Sequence, residues 1–426
     1  MIKKIGIVIA LIAATGVFAQ DGSVSPYSYF GIGDLRSQST YENQMMGGIG
    51  MYADSIHVNL QNPAAYSQLG VQAGDNFGMT TYTGGLSYKQ LQFKSYTTQE
   101  SNNITNLDYL AIGFSLKKGL GVGFGIMPVS SVGYNLVSVS ADSTLTNQYT
   151  GSGGLNKAYF SIGWEFAKDL SVGVTANLNF GTLESRSIQS TDGLQLGVQD
   201  KKSSRVNGFD FNYALSYSPT FKNKHTLVTS IRINTQANLT SENTQEIGSF
   251  SLVDGSDEET YEVDLNALVL KNTDIKIPTK TTLGIGYGKH RSWFLGAEYS
   301  FQEMSAFENE FLALDNLVYK DASTFALGGF YIPDSGPFSS YWKRVTYRAG
   351  LRLDNTGMVV NNTDINNFGI TFGFGLPLGR SFSNLNLGFE VGRRGTTSAD
   401  LIEESYFKIN LGLSLNDMWF QKRKID

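Results

Sequence analysis

The chain has 426 residues, a formal net charge of −5 and no cysteine. Without thiols it has no disulfide, no thiolate metal site and no lipobox anchor, and its acidic balance leaves no basic footprint for nucleic acid. No window after the first residues approaches the roughly twenty apolar residues that a spanning helix requires, which excludes helical membrane topologies.

The first residues read as an export signal: Lys3 and Lys4, an apolar run from Ile5 to Ala14, and Val17-Phe18-Ala19 as a small-residue cleavage site before Gln20. Residues 1–19 are therefore expected to be the signal peptide of a bacterial envelope protein. Residues 20–70 show no clean alternation and read as a separate N-terminal segment. From 71 to 417 a two-residue period takes over. Tyr406 to Leu415 shows it best, with Phe407, Ile409, Leu411, Leu413 and Leu415 alternating with wetter residues. About ten such residues cross a bilayer at a tilt, and lipid offers no partner to an open sheet edge, so such strands must close on one another.

In chain order the expected strands are 78–93, 107–116, 121–134, 157–166, 171–188, 209–218, 226–239, 279–287, 293–302, 323–331, 344–353, 368–378, 385–393 and 406–415. The fold class is thus an all-β transmembrane antiparallel barrel of about 14 strands, with residues 418–426 as a periplasmic tail. The connections alternate. Short turns such as Lys117 to Leu120, Ala167 to Leu170 and Gly288 to Arg291 interleave with long loops at 189–207 and 240–278, the short ones expected on the periplasmic side. Trp164, Trp293, Trp342 and Trp419 all fall near short turns or after the last strand, as an interfacial belt requires.

Little here suggests bond-making chemistry. The glycine-rich runs 119–125 and 369–379 alternate within strands, whereas a phosphate loop needs a helix N-terminus behind it; these glycines are expected to face the lumen. His57, His225 and His290 belong to separate segments with neither metal-ligand spacing nor a neighbouring nucleophile. No catalytic residue, metal or cofactor is expected, and the chain is not read as an enzyme. Parity places Glu165, Asp210, Arg232, Glu298, Arg348, Arg352, Glu390 and Lys408 on the luminal face. The plain reading of these charges is an ion-pair network that stiffens the barrel. The sharper one takes Arg348 and Arg352 as holding the carboxylate or phosphate head of an amphipathic ligand.

Pro128 interrupts the third strand, since proline cannot donate to a sheet ladder. Two readings stand side by side: a bulge at the rim, or an inward kink between Pro128 and Gly133 that opens a window in the wall. The acidic stretch Asp257-Glu258-Glu259 with Glu262 is read as a solvated outer surface, with a cation bridge to lipopolysaccharide as the alternative.

The N-terminal segment carries Gly47-Gly48-Ile49-Gly50, Ala53-Asp54-Ser55 and Asn62-Pro63-Ala64-Ala65 just ahead of the first strand. This resembles the FadL-type outer-membrane transport family, which places an Asn-Pro-Ala signature (here Asn62, Pro63, Ala64) before a fourteen-stranded barrel. The resemblance implies a luminal hatch at 20–70, a lateral opening at Pro128 and passive uptake of hydrophobic or amphipathic small molecules of the long-chain fatty-acid type. It implies membrane lipids and lipopolysaccharide as surroundings and a hydrophobic small molecule as ligand, in the bacterial outer membrane with both mature termini periplasmic or luminal. The competing reading, drawn from relatives of the PorV type, is an accessory or scaffold barrel of an envelope protein-export or assembly complex, with envelope proteins as partners.

Overall fold

Alternation sorts this chain into two wall faces. Along Leu196–Tyr217, Phe209, Phe211, Tyr213 and Leu215 point outward and are exposed, while Asn212, Ala214 and Ser216 between them are buried. Lipid solvates the first set and a filled lumen receives the second. The computed structural model describes residues 22–70, 79–140, 144–314, 316–336, 338–379 and 383–418. The expected signal peptide, Gly78 and the tail with Trp419 lie outside the described residues.

The wall is a closed antiparallel barrel of 14 strands. They are β1 (Met79–Lys94), β2 (Gln99–Lys117), β3 (Leu120–Pro128, resuming as Ser130–Val139), β4 (Leu145–Ala167), β5 (Leu170–Thr191), β6 (Leu196–Tyr217) and β7 (His225–Asn234, resuming as Ala237–Ser251). Then follow β8 (Asn272–Ile277, resuming as Lys280–Lys289), β9 (Trp293–Gln302), β10 (Ala322–Tyr331), β11 (Thr346–Val360), β12 (Thr363–Pro377), β13 (Asn384–Arg394) and β14 (Glu403–Met418). Closure is the pairing of β14 with β1, from Thr80↔Asp417 to Lys94↔Glu403.

Two expectations about the connections are corrected. The segments expected as loops at 189–207 and 240–278 are largely strand: β5 and β6 stay paired as far as Gln189↔Val198, and β7 continues to Ser251 and folds back through Asp257–Glu262. Backbone pairing outlasts the apolar pattern there because the outer face is no longer apolar and the buried inner face is lined largely by polar residues such as Gln199, Ser204, Ser241 and Asn243. Arg344, expected to open the eleventh strand, instead ends a one-turn helix, Tyr341–Arg344. The short turns stand as expected, with Gly119 and Asp169 at positive φ, and Trp164, Trp293 and Trp342 all lie near them.

The N-terminal segment threads the lumen. Asn62 caps the short helix Pro63–Gln68, its Oδ1 accepting from the Ala64 amide at 3.1 Å with proline in the first turn. This turn sits on a row of glycines in register across three strands, Gly121↔Gly163↔Gly173. A methyl on any of them would overlap the backbone of Pro63, Ala64 or Tyr66, so the glycines are there for close approach. On the far wall Gly328 and Gly350 seat the Met46–Gly47 backbone, and Gly373 seats Met45.

Candidate functional site

The third strand breaks where proline requires it. β3 pairs with β2 only as far as Leu110↔Ile126, while its pairing with β4 runs on to Pro128↔Asn156 and resumes at Val132↔Gly153. Three residues of β3 (129–131) thus face two of β4 (154 and 155), which is a bulge with one extra residue. The second half of β3 has no ladder to β2 among the described residues, so the pairing is interrupted there.

β2 carries a matching irregularity. Its register with β1 shifts between Gly85↔Tyr109 and Leu86↔Leu107, which leaves Asp108 unpaired and turned into the lumen. The interrupted pairing is therefore flanked by the Pro128 bulge and the Asp108 bulge.

The N-terminal segment fills the space between them. Asp34–Leu35 pairs with Ser131 and Ser130, and the Arg36 amide donates to the Val129 carbonyl at 2.9 Å. Leu35 is 63% exposed. The Arg36 guanidinium reaches across to Asp108 at 2.8 Å, and Asp108 also receives Lys408 at 3.2 Å and the Tyr41 hydroxyl at 2.8 Å. A cavity of about 390 Å³ remains beside this stopper, bounded by Arg36, Leu107, Pro128 and Gly154.

Above the parting, on the side of the long strands, the segment Pro26–Gly33 packs into an apolar vestibule. Tyr29 stands edge-on to Tyr134 at 5.0 Å, and Ile32 joins Val129, Val132, Leu155 and Leu183 in one buried cluster. Ser28 Oγ accepts the Gly133 amide at 3.1 Å, so Gly133 is tied to the segment that covers the vestibule. The Tyr27 hydroxyl donates to the Ile402 carbonyl at 2.6 Å, just ahead of β14.

The luminal charges are internally matched. Arg348 donates to Asn386 at 2.9 Å, and Asn386 donates to Glu42 at 2.7 Å. Arg352 lies 2.8 Å from Asp354. The two arginines share β11 and its luminal face, yet each is engaged by its own partner and they do not converge on one point. Arg232 pairs with buried Glu298, whose second oxygen accepts the Gly50 amide at 3.0 Å. Asp210 takes the Asn177 amide, and Glu390 the Tyr406 hydroxyl. Within the segment, His57 Nδ1 lies 2.6 Å from Asp54 and its Nε2 3.8 Å from Glu42. Burial alone would lower the His57 pKa, but the two carboxylates outweigh it and raise the value above the ordinary one.

Sequence reasoning found Pro128 and the Asn62-Pro63-Ala64 turn but missed Arg36 and Asp108. A signal existed for the second: Leu107-Asp108-Tyr109-Leu110 breaks parity in an otherwise alternating strand.

Comparison with known proteins adds the following. The family model described as BamG matches residues 1–426. No curated protein matches. Among solved structures, the chain is similar to the Ralstonia pickettii toluene transporter TbuX, with a TM-score of 0.59 and 15% identity over 90% of this chain and 99% of that one. It is similar to the CymD monoaromatic hydrocarbon channel, with a TM-score of 0.56 and 14% identity over 92% and 100%. A third is a Pseudomonas aeruginosa FadL homologue, with a TM-score of 0.54 and 10% identity over 91% and 99%. The expected FadL-type likeness therefore holds for the fold, while the family that matches is BamG.

Proposed function

The chain belongs to the BamG family, and we propose that it is an outer-membrane channel that lets hydrophobic or amphipathic small molecules pass sideways through its wall between β2 and β3. The observation that carries this reading is the interrupted ladder: at Pro128 a wall strand leaves its neighbour, and two residues of a luminal segment stand in its place. In a membrane an unpaired edge is expensive, so a gap closed only by a short plug strand is the part of the wall that costs least to open. The structural neighbours named as hydrocarbon channels support the cargo class.

The route follows from the packing. A long-chain, fatty-acid-like molecule would displace Tyr29 and Ile32 from the apolar vestibule, draw Asp34–Arg36 out of the gap and leave past Leu35 into the lipid. An anionic head would take the place of Asn386 on Arg348 or of Asp354 on Arg352. The movement is passive and requires no cofactor.

A second reading, an accessory barrel of an envelope protein-export or assembly complex, is favoured by the filled lumen, whose segment is bonded to both walls. One experiment separates the two. The pair Leu35→Cys with Ser130→Cys, in a chain with no other cysteine, should lock the stopper. Uptake of labelled oleate by cells carrying the oxidised barrel should fall to background and return on reduction. Uptake that never exceeds that of cells lacking the barrel, together with stoichiometric co-purification of an envelope protein, would put the accessory reading first.

A further inference from the structure

On the opposite side of the barrel from the function proposed above, the lipid-facing wall is dented. Leu295, Gly329, Ala349 and Phe372 stand in register across β9, β10, β11 and β12. The two central positions carry no side chain and a single methyl, so the outer surface sinks between Leu295 and Phe372. Tyr331 and Tyr347 wall the hollow toward the short turns. Its volume is about 700 Å³, within the roughly 300–1,000 Å³ of small-molecule sites.

What lies at the short-turn end of this hollow gives it a chemistry. The connection from β10 to β11 contains the helix Tyr341–Arg344, and the Trp342 carbonyl accepts the Tyr347 hydroxyl at 3.1 Å, which docks the helix directly under the hollow. Trp342 is 68% exposed, at the level where aromatic rings sit among headgroups. Lys343 is exposed and makes no ion pair among the described residues. Arg344 lies 5.9 Å from the Tyr341 ring, and its Nε is buried without a hydrogen-bond partner. The acid in the same connection, Asp334, is already engaged by the Ser339 hydroxyl and by the Gly336 amide at 2.9 Å. Other short turns are basic too, such as Lys117-Lys118, but bulky outward groups like Phe114 and Phe124 stack above that one at 6.0 Å.

We propose that this face binds one anionic glycerophospholipid from the leaflet on the short-turn side, with an acyl chain in the hollow between Leu295 and Phe372 and the phosphate between Lys343 and Arg344. Apolar shape alone would hold any acyl chain. Lys343 and Arg344, offset in part by the Asp334 carboxylate beside Lys343, leave a net positive charge that adds the preference for an anionic head, at about fivefold per net charge in this setting. The site is independent of the opening at Pro128.

The test is native mass spectrometry of the full-length barrel, equilibrated with mixed micelles of phosphatidylglycerol and phosphatidylethanolamine carrying the same acyl chains. One phosphatidylglycerol per barrel should survive detergent washing in clear excess over phosphatidylethanolamine. Lys343→Gln with Arg344→Gln should abolish that preference, and Ala349→Trp, which fills the hollow without touching the cations, should lower retention of both lipids. Lys117→Gln with Lys118→Gln should change neither. All variants are outward-facing, and resistance to unfolding in cold dodecyl sulfate reports that they are folded. Equal retention of the two lipids by the unaltered barrel would overturn the proposal, as would a preference that survives loss of Lys343 and Arg344, or a protein found seated on this face instead of lipid.

Discussion

The N-terminal segment is held at two places, and they are built in opposite ways. Between 41 and 70 it is seated on glycine rows in both walls, capped by Asn62 and tied by buried charge to Glu298. Between 26 and 36 it leans on aromatic stacking, two residues of strand pairing and two ion pairs, Arg36 with Asp108 and Asp34 with Arg394 at 2.6 Å. Glycine seats exclude every side chain and leave no alternative packing, whereas two ladder residues can be exchanged for lipid or ligand at small cost. One end of the segment is an anchor and the other a stopper.

The anchor should break hardest. Arg232→Met removes the partner of Glu298 and leaves a carboxylate that is 5% exposed facing an apolar group. Stranding one member of a buried pair costs about 3–5 kcal/mol. Unfolding in urea should shift by that amount, and protease should cut within 41–70 in the variant but not in the parent. An unchanged midpoint would mean that Glu298 is satisfied without Arg232 and that the anchor rests on its glycines alone.

The stopper should yield with much less damage. Arg36→Gln deletes one of its two ion pairs, yet Asp108 keeps Lys408 and Tyr41, so no buried charge is orphaned. The global cost should be about 1 kcal/mol, that of an ordinary hydrogen bond. Oleate uptake should nevertheless rise, because the gap is then held by two residues of ladder and the Asp34–Arg394 pair, without the tie to β2. A variant as stable as expected but no more permeable would erase the distinction between the two ends.

Which parts of this arrangement could be seen in the chain follows from where solvent enforces a pattern. Lipid on one side and a packed lumen on the other impose period two, so the strands from Phe209 to Tyr217 and from Tyr406 to Leu415 are plain in the sequence. Farther along, the inner face stays buried but takes polar residues such as Ser204, Ser241 and Asn243, so the continuations at 189–207 and 237–251 lose the apolar pattern while keeping the pairing. Pro128 declares itself by its chemistry. The partner of Arg348 does not, because Asn386 lies two strands away and closed-barrel register is not written in any local window; Asp354, two residues from Arg352 on the same strand, lies within reach of parity. Pro26–Gly33 gave no sign of its place either: its residues belong to two buried clusters, one drawing on β3 to β8 and the other on β11 and β12, and have no periodicity of their own.

His57 lies between anchor and stopper and offers the finest discrimination. It faces Asp54 on its own stretch, Glu42 from the short helix Tyr41–Gln44, and Arg348 from β11. The carboxylates raise its pKa in the folded protein, so the stability it contributes is fully present below the unfolded value of about 6.5. That contribution fades as the pH climbs through the raised folded value. Arg348 works in the opposite sense, and its engagement by Asn386 limits how far it can be relieved. The barrel should therefore lose a fraction of its resistance to urea between mildly acidic and alkaline pH, and His57→Gln should flatten that slope without shifting the midpoint by as much as Arg232→Met does. Proteolysis decides where the loosening occurs. Cuts confined to 41–70 at high pH would assign His57 to the anchor, while cuts at 22–36 with the anchor intact would mean that its protonation holds the stopper through Glu42 and the Tyr41 contact with Asp108.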